Sequence, residues 1–422
     1  MTRENPLAFV MCGGKGQRLS PLTEHRAKPA VSFGGSNKVV DFALSNLYHS
    51  HIRRICVLTQ YESLPLDWHV KLGWFPKFGT GVDEFITVEP ARQKQSGHRL
   101  YLGTADSVTQ NLRYINLIQP DIVNVFAGDH IYFMDISQMN QFHREKNADL
   151  TISAIPVPCE LAANNYGVLV VDNDWQLKQF QEKPENPIPM PGNPDYCLAS
   201  MGNYTFQPNI LLEELTQDEA KTTVSKEQAR EDLDRYSTHD FGDDIIPSML
   251  RKGRNICVYD FTTNTVPGLT PNQKGYWRDI GDLDQFYKAN MEVRAVVPPI
   301  NLYNTNWEIL TYPEASQPVK QVGTVKTVES IIAPGSIITN AQIKGSVIAY
   351  NARIGKDAVL IDSILLGHNT IGKNTIIRNA IIDRDVDIPA GEQIGIMPEE
   401  DNERFEISDE GIVIVPAGYQ FS

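Results

Sequence analysis

LAFVMCGGKGQRL, residues 7–19, joins an unbroken apolar run to a glycine-rich loop. The first five letters predict a buried β-strand. The three glycines that follow let backbone amides approach an anion closely, and Lys15 and Arg18 add positive charge. The loop has neither the GK[ST] ending of a Walker loop nor the GxGxxG spacing of a dinucleotide fold. We therefore predict a phosphate-binding loop, and the alternative is an ordinary glycine turn after a strand.

Further apolar runs at 55–59, 122–126, 150–156 and 167–171 alternate with helix-like stretches such as 40–50. This alternation predicts βαβ units, and continuous apolar runs predict a sheet that is covered on both faces. Ligands of such sheets bind at the carboxyl ends of the strands. The glycine loop and the segment 127–129 both follow predicted strands at such ends.

A different period governs the last quarter of the chain. Branched apolar residues recur there about every six positions, at Ile331, Ile337, Ile343, Ile348, Ile354, Leu360, Leu366, Ile371, Ile377, Ile382, Ile388 and Ile394. That spacing fits neither a helix nor an alternating strand, and it predicts a parallel β-helix. The sequence thus predicts a first domain at 1–295, a proline-rich linker at 296–319 and a β-helix domain at 320–422. The repeats could cap or oligomerise the protein, or carry an acyltransferase site that uses His368.

Composition excludes several classes of function. The 422 residues include 52 acidic and 38 basic ones, and a net charge of −14 disfavours nucleic acid and anionic membrane partners. No stretch of 18 apolar residues predicts a membrane span. The N-terminus lacks the pattern of a signal peptide. The five cysteines form no CxxC, so we expect reduced thiols in a cytoplasmic protein and no zinc site.

Lys28 is a candidate for phosphate binding. It precedes Pro29, which predicts an extended backbone at Lys28 and the end of any helix there. A lysine on such a stiff segment, close to a phosphate loop, can hold a polyphosphate. Taken alone, it would be an ordinary surface lysine.

A series of short motifs carries a family resemblance. Residues 13–19 and 26–31 resemble the opening signature of sugar-nucleotide pyrophosphorylases. They are followed in order by FGG (33–35), DFALSN (41–46), LTQY (58–61), GTAD (103–106), AGDHIY (127–132), EKP (182–184), ASMG (199–202), HDFG (239–242) and WRDIG (277–281). The series resembles the bacterial glucose-1-phosphate adenylyltransferase family over about residues 7–415. The resemblance implies an α/β fold: a Rossmann-like nucleotidyltransferase domain with a mixed, mostly parallel sheet, followed by a left-handed parallel β-helix.

The resemblance also implies a reaction, the transfer of the adenylyl group of ATP to α-D-glucose 1-phosphate. The products are ADP-glucose and pyrophosphate, in the first committed step of glycogen synthesis. Because the sugar phosphate is already an anion, catalysis would consist mainly of positioning and charge neutralisation. The implied cofactor is Mg²⁺, which prefers carboxylates and phosphate oxygens. The resemblance assigns it to Asp129 and Asp279, whose separation in sequence gives no reason to pair them; their alternative roles are a turn cap and a helix cap.

The implied site residues follow from the same motifs. Lys183 would hold the sugar phosphate and Glu182 the glucose ring, while the amides of Gln60 and Gln93 would face the adenine. The implied catalytic residues are Lys15, Arg18, Lys28, Asp129 and Asp279, and the implied substrate-binding residues are Gly13, Gly14, Gln60, Gln93, Tyr101, Gly103, Thr104, Asp129, Gly167, Glu182, Lys183 and Ser200. Several of these residues could instead have an ordinary structural role; Tyr101, for example, could be a packed aromatic side chain. The His239–Asp240 pair is interpreted as structural support, because adjacent residues do not face one another on a helix.

Some positions depart from the family pattern. Lys15 stands where arginine is usual, which keeps the charge but loses the bidentate fork and predicts modest turnover. Leu100 stands where tryptophan is common. His25 and Ser32 replace effector-site residues of enteric relatives, and residues 411–422 contain no lysine or arginine. We therefore expect weak or differently placed control by fructose 1,6-bisphosphate. Other cations remain for an anionic effector, namely Arg26, Lys38, Arg53 and Arg54. The family resemblance suggests a homotetramer. The alternatives are a nucleotidyltransferase for another nucleotide and a non-catalytic regulatory subunit.

Overall fold

The computed structural model describes residues 5–79, 81, 83–91 and 100–421. In its first part the described residues form one sheet of nine strands and a separate two-stranded ribbon, which pairs His130–Tyr132 with Trp277–Asp279. The strands are β1 (Pro6–Cys12), β2 (Arg54–Thr59), β3 (Phe85–Pro90), β4 (Ile122–Ala127), β5 (His130–Tyr132), β6 (Leu150–Pro158), β7 (Val168–Val171), β8 (Leu177–Gln181), β9 (Tyr196–Phe206), β10 (Ile256–Asp260) and β11 (Trp277–Asp279). The sheet order is β8-β7-β9-β4-β1-β2-β3, with β6 paired to both β9 and β10. Two shorter ribbons pair Ser32–Phe33 with Asn37–Lys38 and Thr222–Thr223 with Tyr236–Ser237.

The sheet is mixed, as expected. Strands β3, β2, β1 and β4 run parallel, and so do β6 and β10. Strand β9 is antiparallel to β4, β6 and β7, and β7 is antiparallel to β8. Met11 of β1 lies beside Ala127 of β4 in register. The glycine loop and Asp129 therefore leave the sheet at the same edge.

The described helices connect and cover these strands, except the last one, which lies at the C-terminal end of the repeat region. They are α1 (Val40–His49), α2 (Leu64–Gly73), α3 (Thr104–Thr109), α4 (Arg113–Ile118), α5 (Ile136–Glu145), α6 (Cys159–Ala162), α7 (Pro208–Glu219), α8 (Lys226–Glu231), α9 (Ile246–Arg251), α10 (Leu283–Val293) and α11 (Pro398–Arg404), with a π-helical turn at Phe241–Ile245. Every described helix falls short of the length and apolarity that crossing a membrane requires.

The apolar run of β1 is buried on both sides. Ala8 and Val10 pack into one core cluster, while Leu7 and Phe9 pack into a second. All four side chains are fully buried. Alternate residues of a strand point to opposite faces, so the sheet has a core on each face, which confirms the prediction from the continuous apolar run.

The C-terminal repeats form a parallel β-helix with three sheets. Ile348 pairs with Leu365, and Leu365 pairs with Ile382, so each of these coils takes 17 residues. The inward-facing residues differ from the predicted series at three places. At the first, Ile332 packs against the β-helix core and Ile331 packs toward the first domain. Ile338 and Leu365 are in the β-helix core, whereas Ile337 is half-buried and Leu366 packs toward the first domain. The series is displaced by one residue at these places because the five-residue steps of the coils fall at other points than the series placed them.

Residues 296–319, all described, contain no helix or strand. The segment is nevertheless packed. The Trp307 indole donates a hydrogen bond to Asn46 Oδ1 at 3.0 Å, and the Leu310 amide donates to Ser45 Oγ at 2.9 Å. Both acceptors belong to α1, so the connection is fastened to the first domain rather than loose.

Candidate active site

The glycine loop leaves β1 in a conformation that depends on its glycines. Gly16 has a φ of 64°, in the left-handed region that favours glycine. A Cβ on Gly14 would meet no protein atom within 4 Å, so open space lies beside that residue. Lys15 Nζ lies 5.2 Å from the centre of the Tyr61 ring, a cation–π arrangement that involves no carboxylate. The loop can therefore present amides and a cation to a ligand.

Lys28 joins two carboxylates that are far apart in sequence. Its Nζ lies 2.8 Å from Asp129 Oδ2 and 3.0 Å from Asp279 Oδ1. Burial alone would lower the pKa of Lys28, but the two carboxylates outweigh it and raise that pKa. Burial likewise opposes ionisation of Asp129, yet Lys28 and, more weakly, His130 lower the pKa of that carboxyl. The three groups form a charged cluster at the edge of the sheet.

The backbone at Lys28 differs from the prediction. Lys28–Ala30 forms one 3-10 turn, and the extended residue is Ala27, with ψ of 146°. The turn is closed by hydrogen bonds from Ala30 N to Ala27 O and from Val31 N to Lys28 O, at 2.8 and 3.1 Å. Pro29 sits at the second position of the turn, where its missing N–H is not needed. The expectation of an extended Lys28 was therefore wrong by one residue.

The two aspartates are positioned by β4, β5 and β11. Asp129 follows β4 after Gly128, where a Cβ would overlap the Cys12 sulfur. Asp279 ends β11, directly opposite His130 of β5 in the ribbon register. Asp129, His130 and Asp279 each offer an atom within 4.8 Å of the others, which is close enough to share one cation. The two carboxylates suit a hard divalent ion.

Two clefts meet at this cluster. The first, which we call the loop cleft, has a volume of about 310 Å³ and is lined by Gly14, Lys15, Arg18, Lys28 and Asp129, among others. The second, which we call the β9 cleft, has a volume of about 280 Å³ and is lined by Thr104, His130, Gly167, Glu182, Lys183, Ser200 and Asp279, among others. Arg18 lines both clefts. Residues predicted for a phosphate site and for a sugar site thus lie in adjoining spaces.

Glu182 lies in the β9 cleft beside other acids. Burial and then the charges of Asp240 and Asp243 raise the pKa of the Glu182 carboxyl to about 7. A Cβ on Gly242 would lie 2.7 Å from Glu182 Oε2, so this close approach requires glycine. The next residue, Lys183, is exposed and has a φ of 44°, which is rare for a non-glycine residue.

Ser200 and Gly167 sit side by side on the same cleft. The Ser200 amide donates a hydrogen bond to the Gly167 carbonyl at 2.8 Å. A Cβ on Gly167 would lie 2.7 Å from Cζ of Phe180, so the turn has no room for a larger residue. The structure therefore brings together both residues that the resemblance assigned to the sugar side.

Thr104 connects the start of α3 with the turn before α9. Its hydroxyl donates to Asp240 Oδ2 at 2.8 Å and accepts from the Phe241 amide at 3.0 Å. Gly103 lines neither cleft, and a Cβ there would overlap the His239 carbonyl. His239 is buried with its Nδ1 2.7 Å from Asp218 Oδ2, so it supports this turn.

Gln60 and Tyr101 occupy positions behind the clefts. The Gln60 amide donates to the Gly13 carbonyl and accepts from the Tyr101 amide at 2.9 Å. The Tyr101 side chain is buried, and its hydroxyl donates to the Glu89 carbonyl at 2.9 Å. Neither residue lines the two clefts, and Gln60 instead braces Gly13 against the segment at Tyr101. Gln93 lies outside the described residues.

His130 and Trp277 also belong to the site, although the sequence alone shows them only as members of the AGDHIY and WRDIG motifs. Trp277 lines the β9 cleft, and its ring centre lies 5.1 Å from that of His130. The sequence shows that His130 directly follows Asp129, which places it near the site. Its position opposite Asp279 is known only from the ribbon register.

His368, the histidine required by the acyltransferase alternative, lies between the domains. Its Nε2 is 2.7 Å from Glu314 Oε2, and the same carboxylate accepts from Arg384 at 3.0 Å. The imidazole is thus engaged by a carboxylate that also binds an arginine, and no observation at the described residues supports that alternative.

The class of protein follows from comparison with known families, and it is that of the nucleotidyl transferases. Residues 7–296 match the family "Nucleotidyl transferase", and residues 317–415 match "GlmU-like, C-terminal hexapeptide". Similar proteins include "Glucose-1-phosphate adenylyltransferase 1" of Vibrio parahaemolyticus, 41% identical over 98% of both chains, and "Glucose-1-phosphate adenylyltransferase" of Photobacterium profundum, 43% identical over 98% of both. The protein of that name from an Anaeromyxobacter species is 40% identical over 97% of both chains. The chain belongs to the glucose-1-phosphate adenylyltransferase family.

Proposed function

We propose that this protein makes ADP-glucose and pyrophosphate from ATP and α-D-glucose 1-phosphate. The observation that carries the proposal is the meeting of the loop cleft and the β9 cleft at Lys28, Asp129 and Asp279, with Arg18 lining both spaces. A nucleotide in the first cleft and a sugar phosphate in the second would place their reacting phosphates at this cluster. The choice of adenine as the base and of glucose as the sugar rests on the names of the relatives.

The chemistry is an in-line displacement. An oxygen of the sugar phosphate attacks the α-phosphorus of ATP, and the bond from that phosphorus to the β-phosphate bridging oxygen breaks, so that pyrophosphate leaves. No strong base is required, so the protein contributes alignment and positive charge. The glycine loop, Lys15 and Arg18 would neutralise the departing pyrophosphate. Lys28 would hold the aspartates and the phosphates in one arrangement.

The residues fit a divalent ion, which we propose to be Mg²⁺. Asp129 and Asp279 bring two carboxylates to one point, and Mg²⁺ is commonly bound by one or two carboxylates together with substrate phosphates. Such an ion would withdraw charge from the phosphate oxygens. The Lys28 ammonium now bridges these two carboxylates, so such an ion would compete with it for them.

The β9 cleft would bind the sugar phosphate. Lys183 offers an exposed ammonium for the phosphate, and Glu182 offers hydrogen bonds to the glucose hydroxyls. Gly167 and Ser200 would form the floor beside them. Thr104 would shape the cleft rather than bind the sugar phosphate itself, because its hydroxyl is hydrogen-bonded to Asp240 and Phe241.

An anionic effector and self-association complete the proposal. Lys38 lies near Arg26 and Arg384, and burial together with those charges lowers the pKa of Lys38 to about 8. Glu314 and Asp383 partly neutralise this group through Arg384 and Arg26. An anion would therefore compete with internal carboxylates.

A homotetramer would cover exposed apolar residues such as Leu64, Trp68, Leu72 and Phe75 along α2 and the turn after it.

Pyrophosphate release tests the proposal. Purified protein is given glucose 1-phosphate and Mg²⁺ with ATP, UTP, dTTP, CTP or GTP in turn. We expect release with ATP only, and its loss in Asp129→Asn. Asp357→Asn, the same change at an exposed β-helix position, is the matched control.

Each outcome separates the alternatives. Release mainly with another nucleotide would keep the chemistry and overturn the choice of base. Silence with all five nucleotides would favour a regulatory subunit.

A further inference from the structure

His130 occupies a distinctive place in the site. It lies opposite Asp279 in the ribbon register and follows Asp129 directly in the chain. Its Nε2 is 3.5 Å from Asp129 Oδ1 and 3.8 Å from Asp279 Oδ1. Both distances are longer than a normal N–H···O hydrogen bond. The imidazole lines the β9 cleft and does not line the loop cleft.

The orientation of the ring is set by packing. Its centre lies 5.1 Å from that of Trp277, with the planes at 75°. On another side is Gly202, where a Cβ would come 3.6 Å from His130 Cε1. His130 is 8% exposed, and its Nδ1 has no hydrogen-bond partner in the described part of the chain. The one polar edge that faces other groups of the site is therefore Nε2.

The surroundings also decide where the proton of a neutral His130 lies. Two carboxylates face Nε2, and negative charge favours an N–H at that position. Moving the proton to Nδ1 would leave a buried donor without an acceptor, which is unfavourable. Histidines that bind metals usually donate the other ring N–H to an acceptor, and Nδ1 has none among the described residues. Asp129 and Asp279 would thus be the ligands of a bound cation, and His130 would be a hydrogen-bond donor beside them.

This donor needs an acceptor when a cation holds both carboxylates. The β9 cleft is where the proposed function places the sugar phosphate, and its reacting oxygens must lie at the carboxylate cluster. We propose that His130 Nε2–H donates a hydrogen bond to an oxygen of the phosphate of glucose 1-phosphate, so that His130 is a further substrate-positioning residue. This inference rests on the proposed function.

Two substitutions at one position test it. His130→Gln can place an amide nitrogen near the Nε2 position, whereas His130→Asn places it near Nδ1. We expect His130→Asn to raise the KM for glucose 1-phosphate about tenfold, the effect of losing one hydrogen bond to a charged group. We expect His130→Gln to retain a KM close to that of the wild type. The KM for ATP and the affinity for Mn²⁺, measured by electron paramagnetic resonance without nucleotide, should stay nearly constant.

The control is His51→Asn, at an exposed position with a φ of 60° that asparagine tolerates. Weakened Mn²⁺ binding in both His130 variants with an unchanged sugar KM would make His130 a ligand and overturn the inference. An unchanged sugar KM in a folded His130→Asn protein would also overturn it. If that variant does not fold, His130→Gln decides, because the donor role predicts a retained sugar KM and the ligand role predicts weaker Mn²⁺ binding. A wild-type protein without turnover would instead overturn the proposed function, and this inference with it.

Discussion

Lys28 and Asp279 lie 251 residues apart in the chain and are joined by a hydrogen bond of 3.0 Å from Nζ to Oδ1. The same ammonium reaches Asp129 at 2.8 Å. One side chain from the loop region thus connects the end of β4 with the end of β11. The contact brings three separate segments of the sequence into one charged cluster, and its removal has consequences that can be measured.

Replacing this ammonium should separate catalysis from metal binding. We expect Lys28→Met to lower kcat by roughly 100-fold, a magnitude typical for loss of a preorganised charge at a reacting group. Mn²⁺ should bind more tightly to the free protein, because the competing cation has been removed. Lys71→Met, on the exposed side of α2, is the control. A kcat within about threefold of wild type together with an unchanged Mn²⁺ affinity would contradict this role for Lys28.

The raised pKa of Glu182, about 7, predicts a pH-dependent stability. Between the ordinary glutamate pKa and 7 the native state binds more protons at this group than the unfolded state does. The contribution of Glu182 to the unfolding free energy therefore falls as pH rises through that window.

Glu182→Gln removes the titrating group. We expect the variant to gain stability relative to wild type between about pH 5 and pH 8.5, by on the order of 2 kcal/mol. Thermal unfolding at several pH values measures the difference. Glu185→Gln, at the exposed residue that directly follows Pro184, serves as the control. A difference that stays flat across this range would show that Glu182 ionises normally.

The same substitution at two glycines should affect substrate binding at one and stability at the other. Gly14→Ala adds a methyl group to open space in the loop cleft, so we expect normal thermal stability and a raised KM for ATP. Gly128→Ala would drive a methyl group into the Cys12 sulfur, so we expect a loss of roughly 1–3 kcal/mol in unfolding free energy. Thermal unfolding and initial rates on both variants separate the two effects. A Gly14→Ala protein with an unchanged KM for ATP would argue against a nucleotide in this cleft.

Control by anions should be weak and should decline at high pH. Residues 411–422 contain no lysine or arginine, and Arg384 is already paired with Glu314. We expect fructose 1,6-bisphosphate to activate by less than about tenfold, the change that corresponds to about 1.4 kcal/mol. Because the pKa of Lys38 is lowered to about 8, any response that uses its charge should fade between about pH 7 and pH 9.

Initial rates with and without the bisphosphate, in wild type and Lys38→Gln, measure this response. Activation well above tenfold that is lost on changes at the C-terminus would contradict the prediction. A response that persists unchanged at about pH 9 would exclude Lys38 as the group involved.

The sequence by itself determined the architectures of the two domains and the kinds of side chain at the site. Continuous apolar runs predicted a sheet buried on both faces, and the near-six-residue period predicted the β-helix, because both patterns reflect local geometry. The family resemblance named the glycine loop, the aspartates and the sugar-side residues. Periodicity alone misplaced Ile331, Ile337 and Leu366, since it carries no information about where a coil shortens by one residue.

Only the tertiary structure decided which of these groups meet. The pairing of Lys28 with Asp129 and Asp279 depends on β4, β5 and β11 converging, which no local pattern encodes. The hydrogen bonds of the Gln60 amide to Gly13 and Tyr101 likewise depend on how the chain packs. Local sequence sets backbone preference and burial, whereas distances between remote side chains follow from the register of strands and the close packing of the core.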